Sequence, residues 1–179
     1  MRSMRSLFSG QQAAELAAVN LFGDRAEVGQ VRRNGSGRPV VNVCAHFPNA
    51  GNEVETLQRL RRELHLDRFI CATLLPARQY QLQSIDAPNV PEAEMKSAVR
   101  WRLKDFLEYP VESATVDVVA IPADQAAAGR GRSVYAVSAR NHDIEARMKM
   151  FAQAKIPLRV IEVAEMAQLS WDTVARVDT

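Results

Sequence analysis

Hydrophobic positions in the first part of the chain alternate over short runs, then switch to helical spacing. AAVNLFG (17–23) and AEVGQVRR (26–33) read as strands joined by a turn at Gly23-Asp24. VVNVCAHF (40–47) follows as a third strand after RNGSGRP, whose Asn-Gly and Ser-Gly pairs suit a turn. Sequential strands with connections this short predict an antiparallel meander. EVETLQRLRREL then sets Val54, Leu57, Leu60 and Leu64 on one helical face, with Asn52 placed to cap it. RFICATLL (68–75) is apolar almost without interruption, the mark of a buried strand.

The rhythm changes after Pro76. QYQLQSI (79–85) reads as a strand, followed by a helix over Val90–Leu107 that starts at Pro91 and is stopped by Pro110. ATVDVVAIP (114–122) and SVYAVSAR (133–140) are strands. NHDIEARMKMFAQAK (141–155) is a helix with an Asn cap and an acidic first turn. PLRVIEV (157–163) is a last strand before another helix opens at AEMAQLSW. Residues 79–163 therefore spell β-α-β-β-α-β, the order of the ferredoxin-like split βαβ motif. The expected organisation is a flexible or helical lead-in at 1–16, a βββαβ subdomain at 17–76, a βαββαβ subdomain at 77–163, and a helix at 164–179 returning to the first subdomain.

One residue breaks the pattern. On a helical wheel Met95, Val99, Leu103 and Phe106 fall within about 80° of one another, whereas Trp101 lies roughly 130–160° from their centre, beside Glu94, Ser97 and Asp105. A helix packed on one sheet has no use for a second apolar contact there. The indole is covered either by the neighbouring subdomain and its linker or by another protein, which makes Trp101 a candidate interface residue.

Composition narrows the class. Over 179 residues, 47% are apolar and 25% charged, ordinary for a globular protein, and a net charge of +2 gives no case for a nucleic-acid or acidic-lipid partner. Cys44 and Cys71 both sit inside apolar runs, which predicts buried free thiols in a reducing compartment. No stretch approaches the ~18 apolar residues of a membrane span. MRSMRSLFSGQQAAEL carries basic residues with no apolar core behind them, so it does not read as a signal peptide. The expected location is cytoplasmic.

Candidate chemistry is sparse. RNGSGRP and AAAGRGRS lack the Lys-Ser/Thr pair of a phosphate loop and open no helix. His46, His65 and His142 are scattered without metal-ligand spacing, both cysteines lie mid-strand, and no nucleophile elbow is present. No catalytic residue and no metal site is expected. For RNA binding the candidate strands offer Tyr80 and Tyr135 alone, without the aromatic motif that stacks bases.

The run from LLPARQYQLQSIDAPNVPEAEMKSAVRWRLKDFLEYPVESATVDVVAIP through SVYAVSARNHDIEARMKMFAQAKIPLRVIEVAEMA resembles the pilus-assembly actin-like proteins of the PilM type. The MshI proteins of mannose-sensitive haemagglutinin (MSHA) pili are the best fit within that group. The cytoplasmic part of the type II secretion L component looks similar too, but it normally precedes a transmembrane helix. The resemblance implies an α/β (α+β) fold: a partial actin-like (ribonuclease H-like) half, βββαβ, carrying an inserted ferredoxin-like βαββαβ subdomain. It also implies that the chain is one part of a longer bacterial protein.

Nucleotide-binding members of that group carry a first hairpin like G-I-D-I-G-S-S-S-V-K. The matching stretch here is AVNLFGDRAE (18–27). Asn20 stands where the Asp works on metal-bound phosphates, Phe22 replaces the glycine, Gly23 follows it, and Glu27 stands in for the lysine. A phenyl ring fills space that a phosphate needs, and Glu reverses the local charge. The expectation is a degenerate phosphate hairpin with no ATP and no cofactor. By resemblance, the chain is a non-catalytic cytoplasmic scaffold of type IV (MSHA-type) pilus biogenesis. It would dock the cytoplasmic tail of a bitopic inner-membrane assembly protein and stay peripheral to the inner face of that membrane. The competing readings are an ATP-binding actin-like switch and a stand-alone ferredoxin-like binding module for RNA.

Overall fold

The computed structural model describes residues 15–33, 39–49, 51–121 and 132–168. The chain divides into two units, one running to Leu75 and resuming at Ala146, the other spanning Pro76–Glu145. The lead-in and most of the 164–179 helix lie outside the described residues, although 164–168 are helical.

In the first unit, β1 (Leu16–Phe22), β2 (Arg25–Arg33) and β3 (Pro39–Pro48) form the expected antiparallel meander. Gly23, at φ +53°, supplies the left-handed step of the first turn; a Cβ there would meet nothing within 4 Å, so backbone conformation alone selects the glycine. The helix α1 (Glu53–Leu64) follows, and His65 ends it in the left-handed region at φ 52°, returning its N–H to the Arg61 carbonyl. Then β4 (Ile70–Leu74) runs parallel to β1.

The second unit is smaller. Here β5 (Tyr80–Asp86), β6 (Ala114–Ala120) and β7 (Ser133–Arg140) make a three-stranded antiparallel sheet in the order β5-β7-β6. The helix α2 (Glu92–Leu103) packs Val99 and Leu103 against Ala114, Val116, Val134 and Ala136.

The remaining elements, α3 (Asn141–Gln153) and β8 (Leu158–Glu162), correct one expectation. The order β-α-β-β-α-β is present along the chain, but it is not one subdomain. β8 pairs in parallel with β4, through Ala72↔Val160 and Thr73↔Ile161, to complete a five-stranded sheet β3-β2-β1-β4-β8. Phe151 of α3 and Ala154 just past its end join Ala17, Val19, Ala26, Val28, Leu57 and Leu60 in the first unit's core. The insertion is therefore β-α-β-β, ending at Glu145 rather than 163. The cause is β4: a strand apolar on both faces needs a neighbour along each edge, and β1 supplies only one. Burying side chains such as Phe151, Leu57 and Leu60, all at 0% exposure, contributes roughly 1.5–3 kcal/mol apiece.

Two finer expectations also shift. The second helix stops at Leu103 rather than Leu107, because Lys104 and Phe106 bond to carbonyls three residues back. This tighter winding advances about 120° per residue. It turns Phe106 out to 61% exposure and brings Leu107 against the core in its place. Cys71 is buried as expected, but Cys44 is exposed because it lies on the edge strand β3. Among the described residues no helix is long and apolar enough to cross a membrane.

Candidate functional site

The first hairpin sorts its residues by face. Val19, Leu21, Ala26 and Val28 point into the core, so alternation sends Asn20, Phe22, Arg25 and Glu27 to the opposite face. Asn20 and Glu27 are cross-strand partners, and Phe22 closes the hairpin opposite Arg25.

Each of these residues has a local role. β1 and β4 pair only as far as Ala18↔Ala72; beyond that the strands part, and Asn20 Oδ1 accepts the Leu74 N–H at 2.9 Å. Glu27 Oε1 lies 3.1 Å from Arg25 Nε, a half-exposed ion pair contributing at most about 1 kcal/mol. Phe22 is 43% exposed. Gly23 accepts, at its carbonyl, the Asn49 Nδ2–H at 2.7 Å.

Asn49 is the residue that sequence reasoning passed over. Buried between Pro48 and the start of α1, it also donates its backbone N–H to the Asp24 carbonyl at 2.7 Å. Its Oδ1 accepts the Thr56 hydroxyl at 2.8 Å. One side chain thus fastens the hairpin turn to the first helix. Its only trace in the sequence is an Asn after a strand-ending proline, which reads as an ordinary turn.

Beside this junction lies an open crevice of about 640 Å³, lined by Gly23, Asn49, the start of α1 and the face of α3 that carries Lys149 and Gln153. Asn52 caps the helix terminus: its Oδ1 accepts the Val54 and Glu55 N–H groups at 3.1 and 3.2 Å, and its Nδ2 donates to Glu55 Oε1 at 2.9 Å. Glu53 and Lys149 both line the crevice, so its charges offset and give no excess of positive charge for a phosphate.

Two shifted ionisations stand out, and neither builds a reactive pair. Burial, with a smaller contribution from Asp67, pushes the Cys71 thiol up to about 12, which leaves it inert. Burial lowers the Arg147 guanidinium below its ordinary value against the opposing pull of Glu53, and Arg147 Nη1 has no hydrogen-bond partner among the described residues. No group of three His, Cys, Asp or Glu side chains among the described residues is placed to hold a metal ion.

Trp101 sits on α2 in the other unit, away from these groups in sequence. It is 66% exposed, so the described residues do not cover the indole. Its neighbours in sequence anchor the helix: Arg100 donates to the Val111 carbonyl at 2.7 Å and Arg102 to the Asp86 carbonyl at 2.9 Å. Phe106 is similarly exposed on the turn after the helix.

No protein-family model and no curated protein matches the chain. Solved structures do. The chain is similar to one titled a PilM–PilN type IV pilus biogenesis complex, with TM-score 0.71 and 17% identity over 85% of this chain and 48% of that one. It is also similar to the cytoplasmic domain of EpsL, an inner-membrane component of the type II secretion system of Vibrio cholerae, with TM-score 0.57 and 18% identity over 83% of this chain and 57% of that one. A Bacteroides thetaiotaomicron protein with an actin-like ATPase fold aligns at TM-score 0.46 and 6% identity, over 91% of this chain and 57% of that one. The chain spans about half the length of the solved structures it matches. Its mixed α/β architecture is the one expected from the resemblance, a partial copy of a PilM- and EpsL-like fold.

Proposed function

We propose that this chain is a non-catalytic scaffold of type IV pilus biogenesis, of the MshI-like MSHA kind. It works at the cytoplasmic face of the inner membrane and docks the cytoplasmic tail of a bitopic assembly protein. The observation that carries this reading is Asn20. Its side chain is occupied by the Leu74 N–H, with Phe22 beside it, which supports a hairpin given over to holding the sheet rather than a phosphate. A shared architecture with a structure titled as a complex of two pilus proteins supports binding rather than turnover. Trp101 and Phe106 offer exposed aromatic anchors of the kind that dominate protein interfaces.

Two measurements on the full chain test it. Isothermal calorimetry with magnesium and ATP gives no binding heat; micromolar binding replaces this reading with a nucleotide-dependent switch. Synthetic peptides of the cytoplasmic tails of bitopic inner-membrane pilus proteins from the same genome bind saturably in a fluorescence titration. Trp101→Ala weakens that binding at unchanged melting temperature. Failure of every such tail to bind overturns the docking role.

A further inference from the structure

Among the described residues each sheet ends in two edge strands, and natural proteins blunt such edges with charge, because unpaired N–H and C=O groups otherwise invite another strand. Three of the four edges here follow that rule. β8 carries Arg159 and Glu162, β5 carries Asp86 and β6 carries Asp117. β3 does not. PVVNVCAHFP is ten residues long without Asp, Glu, Lys or Arg, and it lies at the end of the five-stranded sheet. Val40 is 42% exposed and Val41 54%, and Cys44, Ala45 and His46 are exposed beyond them.

We propose that β3 is a self-recognition edge: two copies of the chain pair β3 against β3, antiparallel about a twofold axis near Cys44, joining their two sheets into one. The strand's own composition selects the occupant. An uncharged edge is best matched by an uncharged edge, and among the described strands the only exposed uncharged edge is β3 itself. Antiparallel self-pairing sets proline, which has no N–H, near each end of the shared ladder and leaves Val40–Phe47 free to pair. It opposes no like charges, places β-branched and aromatic side chains across from one another, and removes both exposed edges at once. The arrangement is isologous, so it closes at two copies; pairing β3 with β8 would be heterologous and give a ring or an open filament instead. A ladder of this length buries less than the ~1,200 Å² of a standard interface, so the dimer is weak and forms by mass action.

Sedimentation velocity of the full chain over a concentration series gives a mass that rises from one copy to two. Ala45→Lys, at an exposed position near the axis, holds the mass at one copy, and so does Ala45→Glu; an equimolar mixture of the two variants restores the dimer. That rescue requires both variants to be folded, which separates lost pairing from lost structure. A short bis-maleimide cross-links two copies through Cys44 alone, because the other of the chain's two cysteines, Cys71, is buried with its thiol at about 12. A single-copy mass throughout the series overturns the proposal. So does a dimer that persists in Ala45→Lys, which assigns the contact to another surface.

Discussion

Asn20 Oδ1 and the Leu74 N–H, 54 residues apart in sequence, meet at 2.9 Å where β1 and β4 separate. The side chain completes a ladder that the backbones abandon after Ala18↔Ala72. The same position at which the resemblance leads one to expect a phosphate-binding Asp is thus a stitch in the protein's own sheet. Replacing it tests which description governs. Asn20→Ala strands a part-buried donor and lowers stability by about 1–2 kcal/mol in urea denaturation. Asn20→Asp keeps an acceptor in place and costs less than the alanine.

Trp101 and Leu103 lie two residues apart on α2 and behave oppositely. Leu103, 1% exposed, fills the second unit's core, and Leu103→Ala costs about 2–5 kcal/mol. Trp101→Ala, at a 66% exposed site, changes stability by no more than about 0.5 kcal/mol. Thermal melts of the two variants check the contrast.

Cys71 gives the protein an alkaline limit. Unfolded, its thiol ionises near the ordinary 9.0; folded, burial and then Asp67 raise it to about 12. Below 9.0 both states hold the proton and stability is unaffected. As pH rises from there toward 12 the unfolded chain releases a proton that the native one keeps, so stability falls by up to about 1.4 kcal/mol per pH unit. Equilibrium unfolding across that window shows the decline, and Cys71→Ala removes this contribution to it.

Arg147 is a buried cation whose Nη1 meets no partner among the described residues. Desolvating it is unfavourable, and an apolar replacement of similar length is relieved of that penalty. Arg147→Met raises stability by about 1 kcal/mol, read as a higher denaturation midpoint at unchanged slope.

The order of the elements was legible because each carries its period in its own residues: alternation through β1 and β2, the Asn52 cap and leucine face of α1, the uninterrupted apolar run of β4. What was not legible is which sheet α3 and β8 join. Sequence order is the same whether β8 returns to β4 or stays with β7, and only the pairing decides. A signal did exist, since β4 is too apolar to stand at an edge, and four strands alone would leave it there. Phe106 was misplaced for a different reason. The wheel assumes a constant 100° step, and the chain tightens just before that residue. At the candidate site, the residue types at Asn20, Phe22 and Glu27 could be read in the sequence. The contacts that Asn20 and Asn49 make could not, because both depend on where distant strands end.

The interruption between β4 and α3 also sets the tempo of folding. Ala72 cannot find Val160 until all of 76–145 has been looped out between them, and a long loop closes against a larger entropic barrier than a short one. Early collapse of that intervening segment around Val99, Leu103 and Val116 would shorten the effective tether. The guest unit then acts as a pacemaker for its host, and destabilising its core slows maturation of a sheet to which it contributes no strand.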